Sequence, residues 1–262
     1  KVIDPIVLTP TVVNATTYAV TIADYNLTLV DDDYVLLYVH SHATTGTLSV
    51  GAGWTELVEL GVTSAGQMAV YAAKVASGTV SDPTITATVT TTWQVVLEQW
   101  RDVATGASVA DGFEIPTPTQ ANASSVASPT FTPAAADGTV VYFGAVRGNT
   151  GQHCRFLSDK VVAAANPQVD IGSSSFAMAI GTVQQAAAAA TAQTMYAAES
   201  AGIGCITFAV KNEASGKLER DCRAAMTKVG WFGNYGTAHE SLGSLTFNAP
   251  STFCVWSGGT EA

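Results

Sequence analysis

Two histidines one residue apart close the first strongly apolar stretch of the sequence. His40 and His42 end the run DYVLLYVHSH, residues 33–42. On a β-strand, side chains two residues apart point to the same face, as two ligands of one zinc ion must. A cupin-like site would add a glutamate about four residues later, where the chain has Gly46 and Thr47. We therefore interpret the pair as a strand end at the rim of a sheet, with no metal bound.

The acidic triplet Asp31, Asp32 and Asp33 also offers ligand chemistry. Consecutive carboxylates supply the hard oxygen ligands that calcium prefers. The triplet lacks the alternating spacing of a calcium-binding loop, so we predict a charged turn between two strands instead.

Two tryptophans, Trp93 and Trp100, flank the run WQVVLEQW. Their side chains could form a platform for a sugar ring, but large aromatic side chains are more often buried in a core. We place both in the core of the fold.

Motifs of the common enzyme classes are missing from the sequence. It has no nucleophile elbow, no phosphate-binding loop and no dinucleotide fingerprint. Carboxylates are plentiful, yet nothing marks out a catalytic pair. We therefore expect a protein that is not an enzyme and that uses no cofactor.

Composition narrows the range of partners. The net charge is −10, only 12% of residues are charged, and 47% are hydrophobic. An acidic chain lacks the basic surface that nucleic-acid binding requires. No stretch resembles a signal peptide or a membrane helix of ~18 apolar residues, so we expect no membrane insertion. So few charges suggest that partner subunits cover part of the surface.

The four cysteines form no CxxC pair. Cys205 lies inside the apolar run GIGCITFAV and is predicted to be a buried free thiol. Cys222 and Cys254 lie near the end of the chain and could pair with each other, or either could bond to another chain. The intervals between cysteines do not decide among these pairings.

Alternating apolar and polar residues predict many short strands separated by turns. One of them is expected over residues 18–30. A longer pattern is superimposed on the strands: residues 32–103 and 137–214 each contain an opening, a middle and a closing strand, offset by about 105 to 110 positions. We predict an all-β fold, an antiparallel β-sandwich or jelly roll over residues 1–214, built from these two pseudo-repeated halves. Two separate small domains are the alternative.

The segments outside the halves have different compositions. The connector 104–136 is rich in Pro, Ala, Ser and Thr and is expected to cross over the surface. Residues 215–262 are predicted to be a C-terminal assembly arm that begins with a short amphipathic helix. This arm would dock on an acidic partner surface or pack back on its own sandwich. Its contact residues are predicted to be Arg220, Arg223, Lys228, Trp231, Phe232 and Tyr235.

The run DDDYVLLYVHSH, then GWTEL at 53–57, GQMAVYAAKV and WQVVLEQWRDV, resembles a repeating β-sandwich module of tailed-phage and prophage virion structural proteins. The resemblance covers about residues 30–214 and is weaker in the second half, which has no GWT motif. It implies a structural or adhesive role and brings no catalytic residues with it.

These observations lead to two hypotheses about function. The first is a virion structural protein, a capsid decoration or a tail or fibre component, that binds other virion proteins or copies of itself. The alternative is a carbohydrate-binding or adhesive module of a secreted or cell-surface protein, with Trp54, His40 and His42 lining the contact surface for a host glycan.

Overall fold

The computed structural model describes residues 7–8, 15–25, 27–63, 65–134, 138–149, 154–156, 162–165, 168–171, 174–184 and 192–211. Within these ranges the chain forms β-strands and two short 3-10 helices, Ile22–Tyr25 and Val109–Gly112. The predicted all-β, antiparallel sandwich is confirmed. The strands are β1 (Val7–Leu8), β2 (Ala15–Ala19), β3 (Tyr34–Ser41), β4 (Leu48–Val50), β5 (Thr55–Thr63), β6 (Gly66–Lys74), β7 (Thr84–Thr91), β8 (Trp93–Trp100), β9 (Phe113–Glu114), β10 (Thr119–Ala127), β11 (Thr139–Asn149), β12 (Cys154–Phe156), β13 (Val162–Ala165), β14 (Gln168–Ile171), β15 (Ser174–Gln184) and β16 (Thr194–Val210).

The described strands form three antiparallel sheets. The five-stranded sheet has the order β1-β8-β3-β6-β5, and the three-stranded sheet has the order β2-β7-β4. The eight-stranded sheet follows β10-β16-β11-β15-β13, with β9 and β12 also on β16 and β14 also on β15. The five-stranded sheet is the middle layer, because its side chains enter cores on both of its faces.

Successive side chains of β3 point to opposite faces of the middle layer and enter two different cores. Leu36 and Tyr38 enter the core shared with the eight-stranded sheet. Leu37 and Val39 enter the core shared with the three-stranded sheet. Every residue of β3 and β8 is buried. A strand buried on both faces gains by being apolar throughout, which explains why YVLLYV is a continuous apolar run.

The pseudo-repeat of the sequence corresponds to a repeat of strand order. In the first half β3 lies between β6 and β8, and in the second half β11 lies between β15 and β16. The residues paired across these strands match at the offsets seen in the sequence: 105 positions for the opening strand and 110 for the other two. The matching triplets are Tyr34–Lys74–Trp100 and Thr139–Gln184–Val210.

The two repeated sheets pack face to face around large aromatic side chains. Tyr38 and Phe143, which occupy equivalent positions in the two halves, contact each other edge to face with ring centroids 5.5 Å apart. Phe208 stacks on Tyr38, and Phe113 packs against both Tyr34 and Phe208. Each half therefore supplies one wall of a single shared core.

The outer face of the eight-stranded sheet is covered by a fold-back of the sheet itself. The ladder between β10 and β16 shifts register near Ala123, and β10 bends so far that Thr119 Oγ1 donates to the Ala127 carbonyl at 2.7 Å. The same bend brings Met195 directly onto Gly144 of β11, where a Cβ would overlap the methionine sulfur. Any larger residue at position 144 would therefore force the Met195 side chain to move.

Two segments differ from the sequence-based expectations. The connector 104–136 is not only a surface crossover, because it contributes β9 and β10 to the eight-stranded sheet. The strand expected over residues 18–30 ends at Ala19 and is followed by a 3-10 turn. The Asp82 carboxylate accepts a hydrogen bond from the backbone N–H of Ile22 at 2.8 Å and so favours the turn. The predicted arm, residues 215–262, lies outside the described residues.

Candidate functional site

His40 lies inside the protein rather than at its rim. Its side chain is 0% exposed, and it sits on the β3 face that packs against the eight-stranded sheet. Nε2 donates to the Ala65 carbonyl at 2.8 Å, and Nδ1 lies 3.3 Å from the Gln94 side-chain amide. Burial lowers the pKa of His40 to about 4, so the ring is neutral near pH 7. The expectation that His40 contributes to a surface for a ligand is therefore wrong.

His42 follows the end of β3 and is half-buried. The pKa of His42 is lowered to about 4, mainly by burial and to a smaller extent by the positive charge of Arg147. Arg147 lies on β11, at the position of the second half that corresponds to His42 in the first. Among the described residues the Arg147 Nε has no hydrogen-bond partner. The five-stranded and eight-stranded sheets thus meet near the ends of β3 and β11, where the neutral imidazoles of His40 and His42 lie beside the Arg147 guanidinium.

The buried His40 ring makes folding stability depend on pH. Its pKa of about 4 in the folded protein is below the ordinary value of 6.5, so the unfolded chain binds more protons between these values. The contribution of the neutral His40 ring to the free energy of unfolding is fully present above pH 6.5 and is lost as the pH falls towards 4. At ~1.4 kcal/mol for each unit, the loss is about 3 kcal/mol.

We expect this loss to be absent from a His40→Gln variant, which keeps an N–H donor near the Ala65 carbonyl. Urea unfolding of both proteins at several pH values between 7 and 4 measures the difference. Using the variant as reference cancels other titrating groups, such as the buried Glu98, that both proteins share. If the free energy of unfolding changes with pH equally in the two proteins, the assignment of a neutral, buried His40 is contradicted.

No group of three or more His, Cys, Asp or Glu residues is arranged to hold a metal ion in the described part of the chain. The two histidines do not converge on one point with a carboxylate. Both rings instead have contacts within the protein.

A carboxyl group lies in the centre of the core between the two large sheets. Glu98 is 0% exposed and points from β8 to the same side as Val96 and Trp100. Its Oε2 accepts hydrogen bonds from the Tyr38 hydroxyl at 2.6 Å and from the Trp100 Nε1 at 3.2 Å. Burial raises the pKa of Glu98, and these two hydrogen bonds offset that effect only in part.

The second half places a phenylalanine where the first half has this glutamate. Leu36 pairs with Glu98 and Val141 pairs with Phe208, at the same offsets as the other repeated positions. The carboxyl is therefore an addition to the repeat, and it satisfies the polar atoms of Tyr38 and Trp100 inside the shared core. Glu98 was not among the residues predicted from the sequence. The alternation along β8, which sets it on the same side as Val96 and Trp100, is the signal that could have identified it.

Trp54 is packed between the middle layer and the three-stranded sheet. It is 8% exposed, and its Nε1 donates to the Ser81 carbonyl at 2.9 Å. Gly53 precedes it with a φ of +90°, a conformation that favours glycine and that turns the chain into β5. The GWT motif therefore joins two layers of the fold.

Trp54, His40 and His42 do not form one surface. Trp54 precedes Thr55, which pairs with Ala72 of β6, and Ala72 in turn pairs with Leu36 of β3. From Leu36 to His42 is six residues along the strand, about 20 Å at ~3.3 Å per residue. A single glycan ring could not contact both ends, so the arrangement gives no support to the glycan-binding hypothesis. The predicted core positions of Trp93 and Trp100 are observed, at 0% and 2% exposure.

The acidic triplet forms a turn whose carboxylates are engaged by the protein itself. Asp31 Oδ1 accepts from the Gly78 N–H at 2.6 Å, and Asp32 forms an ion pair with Lys74 at 2.7 Å. Asp33 is 2% exposed and forms an ion pair with Arg101, whose Nε lies 3.0 Å from Oδ1. Asp33 also accepts from the Val30 N–H and from the Gln99 side chain. The turn thus fastens β3 to β8, in agreement with the predicted charged turn.

A cleft of about 290 Å³ opens beside this turn. We call it the acidic cleft, because four carboxylates and two cations line it and leave a formal charge of −2. Its lining residues are Val30, Asp31, Asp32, Asp33, Lys74, Arg101, Asp102, Val103 and Thr105.

The remaining sequence-based assignments concern cysteines and the arm. Cys205 is a free thiol with 0% exposure, as predicted, and burial raises its pKa to about 12. A thiol in this state is protonated and unreactive. Cys222, Cys254 and the arm residues Arg220, Arg223, Lys228, Trp231, Phe232 and Tyr235 lie outside the described residues. Within the described ranges no helix is long and apolar enough to cross a membrane.

Comparison of the chain with protein-family models, with curated proteins and with solved structures gave no match.

Proposed function

We propose that this protein is a non-enzymatic structural component of a virion, either a capsid decoration or part of a tail or fibre. It acts by assembling with copies of itself or with other virion proteins. The observation that carries the proposal is the stacking of two repeated sheets, under a third, into a body with three layers. Such a body is a rigid scaffold that presents contact surfaces to other proteins.

The polar groups inside this body favour a scaffold over a reactive centre. Glu98 binds Tyr38 and Trp100, His40 donates to a backbone carbonyl, and the Cys205 thiol is held protonated. Each of these groups is fully buried, so a substrate in solution does not reach it. Their contacts stabilise the packing of the sheets.

The position of GWTEL in the fold gives a structural reason for the resemblance to phage structural modules. Gly53 makes the turn, Trp54 fills the space between two layers, and Thr55 begins β5. The motif is a layer-joining element, which is what a structural module would need to retain. This supports a structural role, with a virion as the proposed location.

The sheet edge at β5 favours assembly through a defined surface rather than by edge-to-edge pairing. β5 carries the exposed Glu56 and the half-buried Glu59, and its pairing with β6 shifts register twice. Charges and irregular register discourage uncontrolled addition of strands. A closed oligomer is therefore expected, and light scattering on the concentrated, full-length protein tests it. One discrete mass above the 27.0 kDa of the chain supports the proposal, and a monomer counts against self-assembly.

A further inference from the structure

We propose that the acidic cleft is the docking site for the basic segment 217–228 of the protein's own C-terminal arm. The inference goes beyond the assembly role, since it concerns how the arm is attached to the sandwich. It can hold or fail whether or not the protein assembles.

The charge of the cleft is complementary to the charge of the segment. The acidic cleft has a formal charge of −2 within a protein of net charge −10. Residues 217–228 contain Lys217, Arg220, Arg223 and Lys228 with only Glu219 and Asp221, a formal charge of +2. They hold four of the eleven basic residues of the whole chain.

The last described residue of the chain lies beside the cleft. Lys211 follows β16, and its backbone carbonyl accepts from the Ala104 N–H at 2.9 Å. Ala104 lies between Val103 and Thr105, both of which line the acidic cleft. The six residues from Lys211 to Lys217 span at most ~20 Å when extended. The basic segment thus starts within reach of the cleft, and a short tether gives it a high effective concentration there.

The cleft wall contains an exposed apolar side chain that a docked segment would cover. Val30, in the cleft wall, is 49% exposed, one of two large hydrophobic side chains exposed among the described residues. An exposed apolar side chain among carboxylates is the complement of a segment with both apolar and cationic side chains.

Docking in the cleft gives the arm a fixed base. The aromatic stretch that follows, with Trp231, Phe232 and Tyr235, would then project from the end of the sandwich where β3 begins. A fixed base lowers the entropy that the arm loses when its aromatic residues bind a partner.

The native Cys222 lies within the basic segment and allows a direct test. Thr105 is an exposed residue of the cleft, and we expect a Thr105→Cys variant of the full-length protein to form a disulfide with Cys222 of the same chain under mild oxidation. Asn122→Cys, at an exposed position on β10, is the matched control. Peptide mass mapping and non-reducing gels identify the bond, and a Cys222→Ser substitution in the Thr105→Cys background removes it.

We expect the introduced thiol of the cleft variant to form at least tenfold more disulfide with Cys222 than the introduced thiol of the control does. We also expect Arg220→Glu with Arg223→Glu, or 1 M NaCl, to reduce the yield to the level of the control. Equal yields in cleft variant and control would overturn the proposal. A bond from position 105 to Cys222 found only between two chains would also overturn it and would assign the cleft to the arm of a second copy.

Discussion

Deleting residues 215–262 is expected to leave the sandwich folded and to abolish assembly. The three described cores are built from residues up to Val210, and Lys211 closes the last strand through backbone hydrogen bonds with Gly112 and Ala104. The deleted segment holds the basic and aromatic residues that we assign to contacts. Circular dichroism and thermal unfolding report on the fold, and light scattering reports on the mass.

A variant of the whole chain with Trp231→Ala, Phe232→Ala and Tyr235→Ala keeps the arm but removes its aromatic side chains. It tests whether assembly needs these side chains or only the presence of the arm. We expect this variant to fold and to lose assembly as the deletion does. If the deletion instead unfolds the protein, the arm belongs to the core. If both variants still assemble, the contacts lie on the sandwich.

An Asp33→Asn substitution is expected to lower the free energy of unfolding by about 3 kcal/mol. The substitution removes the buried negative charge that pairs with Arg101 and places an NH2 group among donors that need an acceptor. The fully buried Gln99 amide loses an acceptor, and Arg101, whose side chain is 28% exposed, loses its counter-charge. Urea unfolding at pH 7 measures the change.

The neighbouring Asp32→Asn substitution is a matched control. The Asp32 side chain is 74% exposed and pairs with Lys74 at the surface, so its loss should cost at most about 1 kcal/mol. Asparagine also tolerates the φ of 71° at this position. Equal losses of stability in the two variants would contradict a special role for the buried Asp33 carboxylate.

The repeat and most of the strands of the fold could be predicted from the sequence, since both depend on local patterns. Apolar runs such as YVLLYV identify buried strands, and the offset of 105 to 110 positions identifies strands that occupy equivalent places in two sheets. The third layer was not predictable, because alternation shows which residues are buried and not which sheet buries them. Ala19 ends a predicted strand for a similar reason: the Asp82 carboxylate that favours the turn lies 60 residues away from Ile22.

The polar sites were less predictable than the fold. His40 was expected at a rim, because a polar residue near the end of an apolar run usually marks the approach to solvent. In the structure the Ala65 carbonyl and the Gln94 amide supply its hydrogen bonds, so it can be buried. Glu98 and Tyr38 meet only through the pairing of β3 with β8, a contact between residues 60 positions apart. Trp54 was assigned to a surface, and its burial depends on the three-stranded sheet that the sequence did not reveal.

The measurement that tests the central claim most directly is mass photometry of the full-length protein across a dilution series, with and without reductant. A structural component that assembles with itself should remain a closed oligomer of one size as the concentration falls from micromolar to nanomolar. If reductant dissociates the oligomer, a cysteine such as Cys222 or Cys254 lies at the interface. A single species near 27.0 kDa at every concentration, with or without reductant, would contradict assembly of the protein with copies of itself.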